Sequence, residues 1–140
     1  MTDEPLEYSL VISSQRQAWK PVSEDILELT QAHGYSDQEV FAIQLALDEA
    51  LINAIGHGNG FDETKMVQID YSVGAHEIRV RITDEGNGFN PNALSDPTAP
   101  ENLDCPGGRG VMLMRHYMCG VFFNENGNCV EMWKRRGVNV

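Results

Sequence analysis

The stretch KMVQIDYSVGAHEIRVRITD (65–84) decides the fold class. It holds two runs of strand-forming residues, 65–73 and 76–84, with Gly74 and Ala75 between them. So short a connection has no room for a crossover helix, so the runs pair as an antiparallel hairpin. A second hairpin lies in CGVFFNENGNCVEMWKRR (119–136), with Asn126-Gly127 as its turn. LEYSLVIS (6–13) alternates as a further strand. In PVSEDILELTQAHG (21–34), Val22, Ile26 and Leu29 share one helical face, and Gly34 suits a C-terminal stop. Pro21 fits a first turn, and how it is accommodated decides whether that helix starts there or nearer Ser14. SDQE (36–39) is a capping box, with Ser36 as N-cap and Glu39 reaching back. A long helix should follow to about Gly56, its core stripe being Val40, Ile43, Leu47 and Ala50 or Leu51. GVMLMRHYM (110–118) is a short apolar helix, while 56–64 and 85–107 are loops by their Gly, Asn, Asp and Pro content.

The order is therefore β-α-α-β-β-loop-α-β-β. Hairpins outnumber βαβ units, which predicts an α+β two-layer sandwich: a mostly antiparallel, mixed sheet with helices on one face. A doubly wound parallel sheet fits poorly. With 140 residues, 41% apolar and 22% charged, the chain is expected to be one globular domain, 1–140.

Ten Lys and Arg against 21 Asp and Glu give a formal charge of −11. Such a chain lacks the basic footprint that holds nucleic acid or an anionic membrane. Cys105, Cys119 and Cys129 form no C-x-x-C pair, so no zinc site or disulfide framework is signalled. The start, MTDEPLEYSL (1–10), has no signal-peptide character, and no apolar run reaches the ~18 residues of a membrane span. A reduced, cytoplasmic protein is expected.

Three stretches carry chemistry. In DEALINAIGHGNG (48–60), Glu49 and Asn53 are i and i+4, polar neighbours on an otherwise apolar helix. Polar groups there are costly unless something pairs with them. DEGNGF (84–89) leaves a strand directly, and Gly86 and Gly88 let the backbone approach a flat or anionic ligand. Gly86 at its third position offers no side-chain ligand, so this is not a calcium loop. PGGRGVMLM (106–114) runs a glycine cluster into a helix start, whose free N–H groups and dipole suit an anion, with Arg109 as an added charge. No Gly-Lys-Ser/Thr follows, so it is not a Walker loop.

Each pattern alone is ordinary: a polar helix edge, a turn, a hinge. In this order, E-x-x-x-N, then D-x-G-x-G-F after a strand, then G-x-G at a helix start, the chain resembles the GHKL (histidine-kinase-like) ATPase superfamily. LDEALINAIGHGN, DEGNGF and PENLDCPGGRGVMLMRHYM look most like its small anti-sigma factor serine-protein kinases, the RsbW type. The likeness runs from about residue 36 to 135.

That resemblance implies a set of roles. The cofactors would be ATP and Mg²⁺. Asp84 would accept the adenine amino group, with Gly86 and Gly88 shaping the wall beside the base. Asn53 would hold Mg²⁺. Backbone amides around Gly108, Arg109, Gly110 and Val111 would cradle phosphates, and residues 90–107 would be the lid. Glu49 matches the family's general base. The implied partners are an anti-sigma-factor antagonist, as phosphoacceptor, and a sigma factor; the likeness also suggests a homodimer. Two departures stand out: Val111 where Leu or Phe is more usual, and CGV at 119–121 where an acidic pair is often seen. A catalytically weak ATP-binding partner-switching module is the alternative. A histidine-kinase catalytic domain fits less well, because His33 in QAHGYS lacks the neighbours of a phosphoacceptor histidine. His57 reads as a helix C-terminal residue, Arg115 as surface, Trp19 and Trp133 as packing.

Overall fold

Alternation along the strands separates a buried face from a solvated one. In the computed structural model, which describes residues 6–86 and 108–137, Val67, Ile69 and Val73 are fully buried, while Met66 before Val67 and Gln68 after it are exposed. The chain forms β1 (Leu6–Ser13), α1 (Trp19–Ala32), α2 (Asp37–Ile52), a π-helical turn (Asn53–Gly58), β2 (Met66–Val73), β3 (Glu77–Thr83), α3 (Gly108–Tyr117), β4 (Gly120–Phe123) and β5 (Cys129–Arg135). The strands form one sheet in the order β1-β2-β3-β5-β4. Every pairing among them is antiparallel. The expected α+β sandwich is present, without a parallel pair among the described strands.

Register places Ile69 opposite Ile82, and Ile82 opposite Val130, so one face is apolar across the central strands. That face and the helices share one core, which includes Ile26 of α1, Ile43, Leu47 and Leu51 of α2, and Met114 of α3. The opposite face is polar. There Glu131 bridges Arg79 at 2.8 Å and Arg81 at 3.2 Å.

α1 begins at Trp19, so Pro21 is its third residue. Backbone N–H groups of a first turn have no helical partner, so proline removes nothing there. Gly34, at φ +87°, ends the helix as expected. α2 starts on the capping box: Ser36 Oγ accepts the Glu39 N–H at 3.1 Å, and the Glu39 carboxylate accepts the Ser36 N–H at 2.8 Å. The α-helix stops at Ile52, and the expected run to Gly56 is completed by the π-helical turn.

α3 is fixed at its far end. Lys134 is 3% exposed on the inner face of β5, and its Nζ donates to the Tyr117 carbonyl at 3.1 Å. A cation at a helix C-terminus is favoured by the helix dipole. Leu47 is fully buried in the core, so Leu47→Ala should cost about 2–5 kcal/mol. Urea unfolding should show that loss as a lower midpoint with an unchanged slope.

Candidate functional site

The last turn of α2 presents two adjacent carboxylates, and they differ. Asp48 turns toward α1, where the buried Ser23 hydroxyl donates to its Oδ1 at 2.5 Å. Burial raises the Asp48 pKa, and the Ser23 hydroxyl only partly offsets that. Glu49 is half-buried and has no hydrogen bond or ion pair among the described residues. Asn53 follows one turn later with helical dihedrals, φ −62° and ψ −42°, and its N–H donates to the Glu49 carbonyl. The helical spacing that makes Glu49 and Asn53 neighbours is therefore intact.

Asn53 itself carries the clearest sign of a missing partner. Its Nδ2 is buried with no hydrogen-bond partner, the only such side-chain atom among the described residues. An unpaired buried amide costs about 1–3 kcal/mol. Rotating an amide exchanges its N–H₂ and C=O ends. The group can therefore offer a donor to a phosphate oxygen or an oxygen to a cation.

Asp84 follows β3 directly. Its N–H donates to the Asn128 carbonyl at 2.9 Å, and its own carbonyl accepts Asn128 Nδ2 at 3.2 Å. The carboxylate accepts the Gly86 N–H on Oδ1 at 2.8 Å, which leaves Oδ2 without a partner among the described residues. Burial raises the Asp84 pKa, with the Gly86 N–H and the Lys65 charge opposing.

Two glycines make this geometry. A Cβ on Gly58 would lie 2.4 Å from the Asp84 Cγ and Oδ2, so the carboxylate rests flat against the π-helical turn. A Cβ on Gly86 would lie 1.8 Å from the Gly58 carbonyl oxygen. Both positions exclude any side chain. Gly58, at the end of the π-helical turn that begins at Asn53, is thus in direct contact with Asp84 and Gly86 in the turn after β3.

Sequence reasoning missed Gly58, Asn59 and Ser14. Asn59 is 2% exposed, and its side chain spans three segments. Nδ2 donates to Ser14 Oγ at 2.8 Å and to the Met66 carbonyl at 3.0 Å, while Oδ1 accepts the Glu85 N–H at 2.8 Å. Its only sequence signal was position in the glycine-rich GHGNG, which is also ordinary loop composition.

The third element is α3, which starts at Gly108 as the glycine cluster implied and packs against α2. Gly108, Arg109 and Gly110 form its first turn, and Val111 is 4% exposed in the core. Gly88 and the expected lid, 90–107, lie outside the described residues, as does the Arg109 side chain. His57 and Arg115 are exposed.

The donor set fits a magnesium nucleotide. No cluster of His, Cys, Asp and Glu among the described residues could hold a metal alone. Mg²⁺ does not need one, because it typically takes one or two protein oxygens plus waters and substrate phosphates. The orphaned Asn53 amide, the free Asp84 Oδ2 and the side-chain-free surface at Gly58 and Gly86 are polar and open groups of the kind such a ligand needs. No helix among the described residues is long and apolar enough to cross a membrane.

A family model described as "Histidine kinase-like ATPase domain" matches residues 12–134. The serine/threonine-protein kinase BtrW of Bordetella bronchiseptica is 31% identical over 80 residues, 56% of this chain and 56% of that protein. The serine-protein kinase RsbW of Bacillus subtilis is 31% identical over 108 residues, 72% of this chain and 68% of its own length. The chain thus spans little more than half of the first of these relatives. Among solved structures, the RsbU and RsbW domains of a Mycobacterium tuberculosis protein superpose with a TM-score of 0.63 at 12% identity, over 94% of this chain and 32% of that one. At that identity the likeness is one of fold.

Proposed function

We propose, from the premise that this chain belongs to the histidine kinase-like ATPase domain family, that it is an ATP-dependent protein serine/threonine kinase and anti-sigma factor. Its substrate would be a hydroxyl of an anti-sigma-factor antagonist, its second partner a sigma factor, and its place of action the cytoplasm. Membership in that family implies ATP binding, and the similar BtrW and RsbW are a serine/threonine-protein kinase and a serine-protein kinase. The single observation that carries the reading is the unpartnered buried amide of Asn53, one turn from the unpartnered carboxylate of Glu49.

Bound MgATP would supply the phosphoryl group and the charge neutralisation of its transfer. The chain's own residues would do the rest. Asn53 would hold the cation through its amide oxygen. Asp84 would accept the adenine amino group on its free Oδ2. The first-turn amides of α3 would meet the phosphates, as helix N-termini do. Glu49 would take the proton from the acceptor hydroxyl.

Two measurements test this. Calorimetric titration with ATP should show binding that is stronger with Mg²⁺ than without it. Incubation with a cognate antagonist and radiolabelled ATP should then label a serine or threonine of that antagonist. Binding without any transfer would leave only a regulatory module.

A pH dependence follows from Asp84. Only the ionised carboxylate keeps both oxygens as acceptors, Oδ1 for the Gly86 N–H and Oδ2 for the amino group, and burial raises the Asp84 pKa above its ordinary value. Acidification should therefore begin to protonate Asp84, and weaken ATP binding, at a higher pH than an exposed aspartate would allow. Affinity measured stepwise from pH 7 downward should fall. The loss should be smaller for inosine triphosphate, which has no amino group at that position.

A further inference from the structure

We propose that Asn59 is a positioning residue that sets this pocket's preference for an amino-bearing purine, an inference that rests on the nucleotide reading above. Asn59 never touches the base position. It acts through the residue after Asp84.

The polarity of its amide is fixed by its neighbours. Ser14 Oγ gives its own proton to the Lys65 carbonyl at 2.7 Å, so toward Asn59 it can only accept. The Met66 carbonyl can only accept as well, and the Glu85 N–H can only donate. Two acceptors at one end and a donor at the other demand an amide. A carboxylate, a hydroxyl or an apolar side chain leaves at least one of these groups unpaired.

The Glu85 main chain is thereby tied to the end of β1 and the start of β2. Its side chain makes a second tie, accepting the Met66 N–H. On the other side, Asn128 holds both main-chain groups of Asp84. The carboxylate between these clamps also lies against Gly58, with one oxygen occupied by the Gly86 N–H. Its free oxygen is consequently aimed by Asn59 from one side and by Asn128 from the other. A fixed acceptor attracts the amino group of adenine and repels the carbonyl oxygen of hypoxanthine. An acceptor that can swing away does neither well.

The experiment compares ATP with inosine triphosphate, both with Mg²⁺, by titration calorimetry on the full chain and on Asn59→Asp. This change keeps the side chain's size and the contact to Glu85, but sets a carboxylate against the Met66 carbonyl. The unaltered protein should prefer ATP by roughly tenfold or more, the effect of one satisfied against one unpaired polar group. In Asn59→Asp that ratio should fall to about threefold or less. Should Asn59→Asp fail to melt cooperatively, Asn59→Ser carries the same expectation. A variant that melts lower and binds both nucleotides more weakly by the same factor, with the ratio intact, would show a merely structural asparagine and overturn the proposal. An unaltered protein that binds neither nucleotide would instead refute the nucleotide reading itself, and this inference with it.

Discussion

Glu49→Gln should bind MgATP as the unaltered protein does and transfer phosphate ~10²–10⁴-fold more slowly, the usual contribution of a positioned base. The amide matches the carboxylate in shape and keeps its hydrogen-bonding edge, but it cannot take a proton. Glu49 has no partner among the described residues, so folding should not depend on its charge. Asp48 provides the internal control. It is committed to Ser23 between α1 and α2, so Asp48→Asn should be felt mainly in stability. Single-turnover transfer measured beside a thermal melt separates the two. If Glu49→Gln transfers phosphate at the unaltered rate, Glu49 is not the base and the kinase assignment loses its central residue.

The second large effect is expected at Asp84. Asp84→Asn can still accept the Gly86 N–H on its oxygen, but its Nδ2 then meets the adenine amino group, donor against donor. Losing a charge-assisted bond and leaving two donors unpaired costs about 1.5–3 kcal/mol for each group, which is ~100-fold or more in ATP affinity. Stability should move the other way or not at all. Burial disfavours the charged form of Asp84, so a neutral side chain removes a cost that the folded state carries above the aspartate's ordinary pKa. A site that holds a desolvated charge for its ligand commonly trades stability for function. Calorimetry and a melting curve on one preparation check both signs. Unchanged ATP affinity would move the base to another part of the molecule.

The sheet and helices were legible because their signals are periodic. β1 was read residue for residue, since Leu10 and Ile12 alternate with polar or exposed positions. The capping box fixed the start of α2, and Gly34 fixed the end of α1, because each is a local chemical device. Part of the candidate site could be proposed for another reason: Glu49, Asn53, Asp84 and the glycines of α3 stand in the order of the family's motifs along the chain. Asn59 was not legible, because an asparagine between two glycines looks the same whether it caps a loop or ties three strand ends together. The spacing to Asn53 singled out Glu49, but the role of its neighbour Asp48 was not legible. Only the packing of α1 assigns Asp48 to Ser23. The π-helical turn was invisible for a related reason: its residues, NAIGHG, would suit an α-helix end equally well.

That turn holds one residue more than an α-helix would place there. The Asn59 N–H bonds back to Ala54, five residues earlier, where an α-helix would reach four. Deleting one residue from Ala54 to His57 would let the coil close at standard pitch, with Gly58 and Asn59 still leaving it in the same direction. The asparagine would still face Ser14, and a glycine would still lie beneath Asp84. A relative one residue shorter in this interval can therefore keep the same asparagine, and a comparison of chains should place its gap inside the turn rather than beyond it.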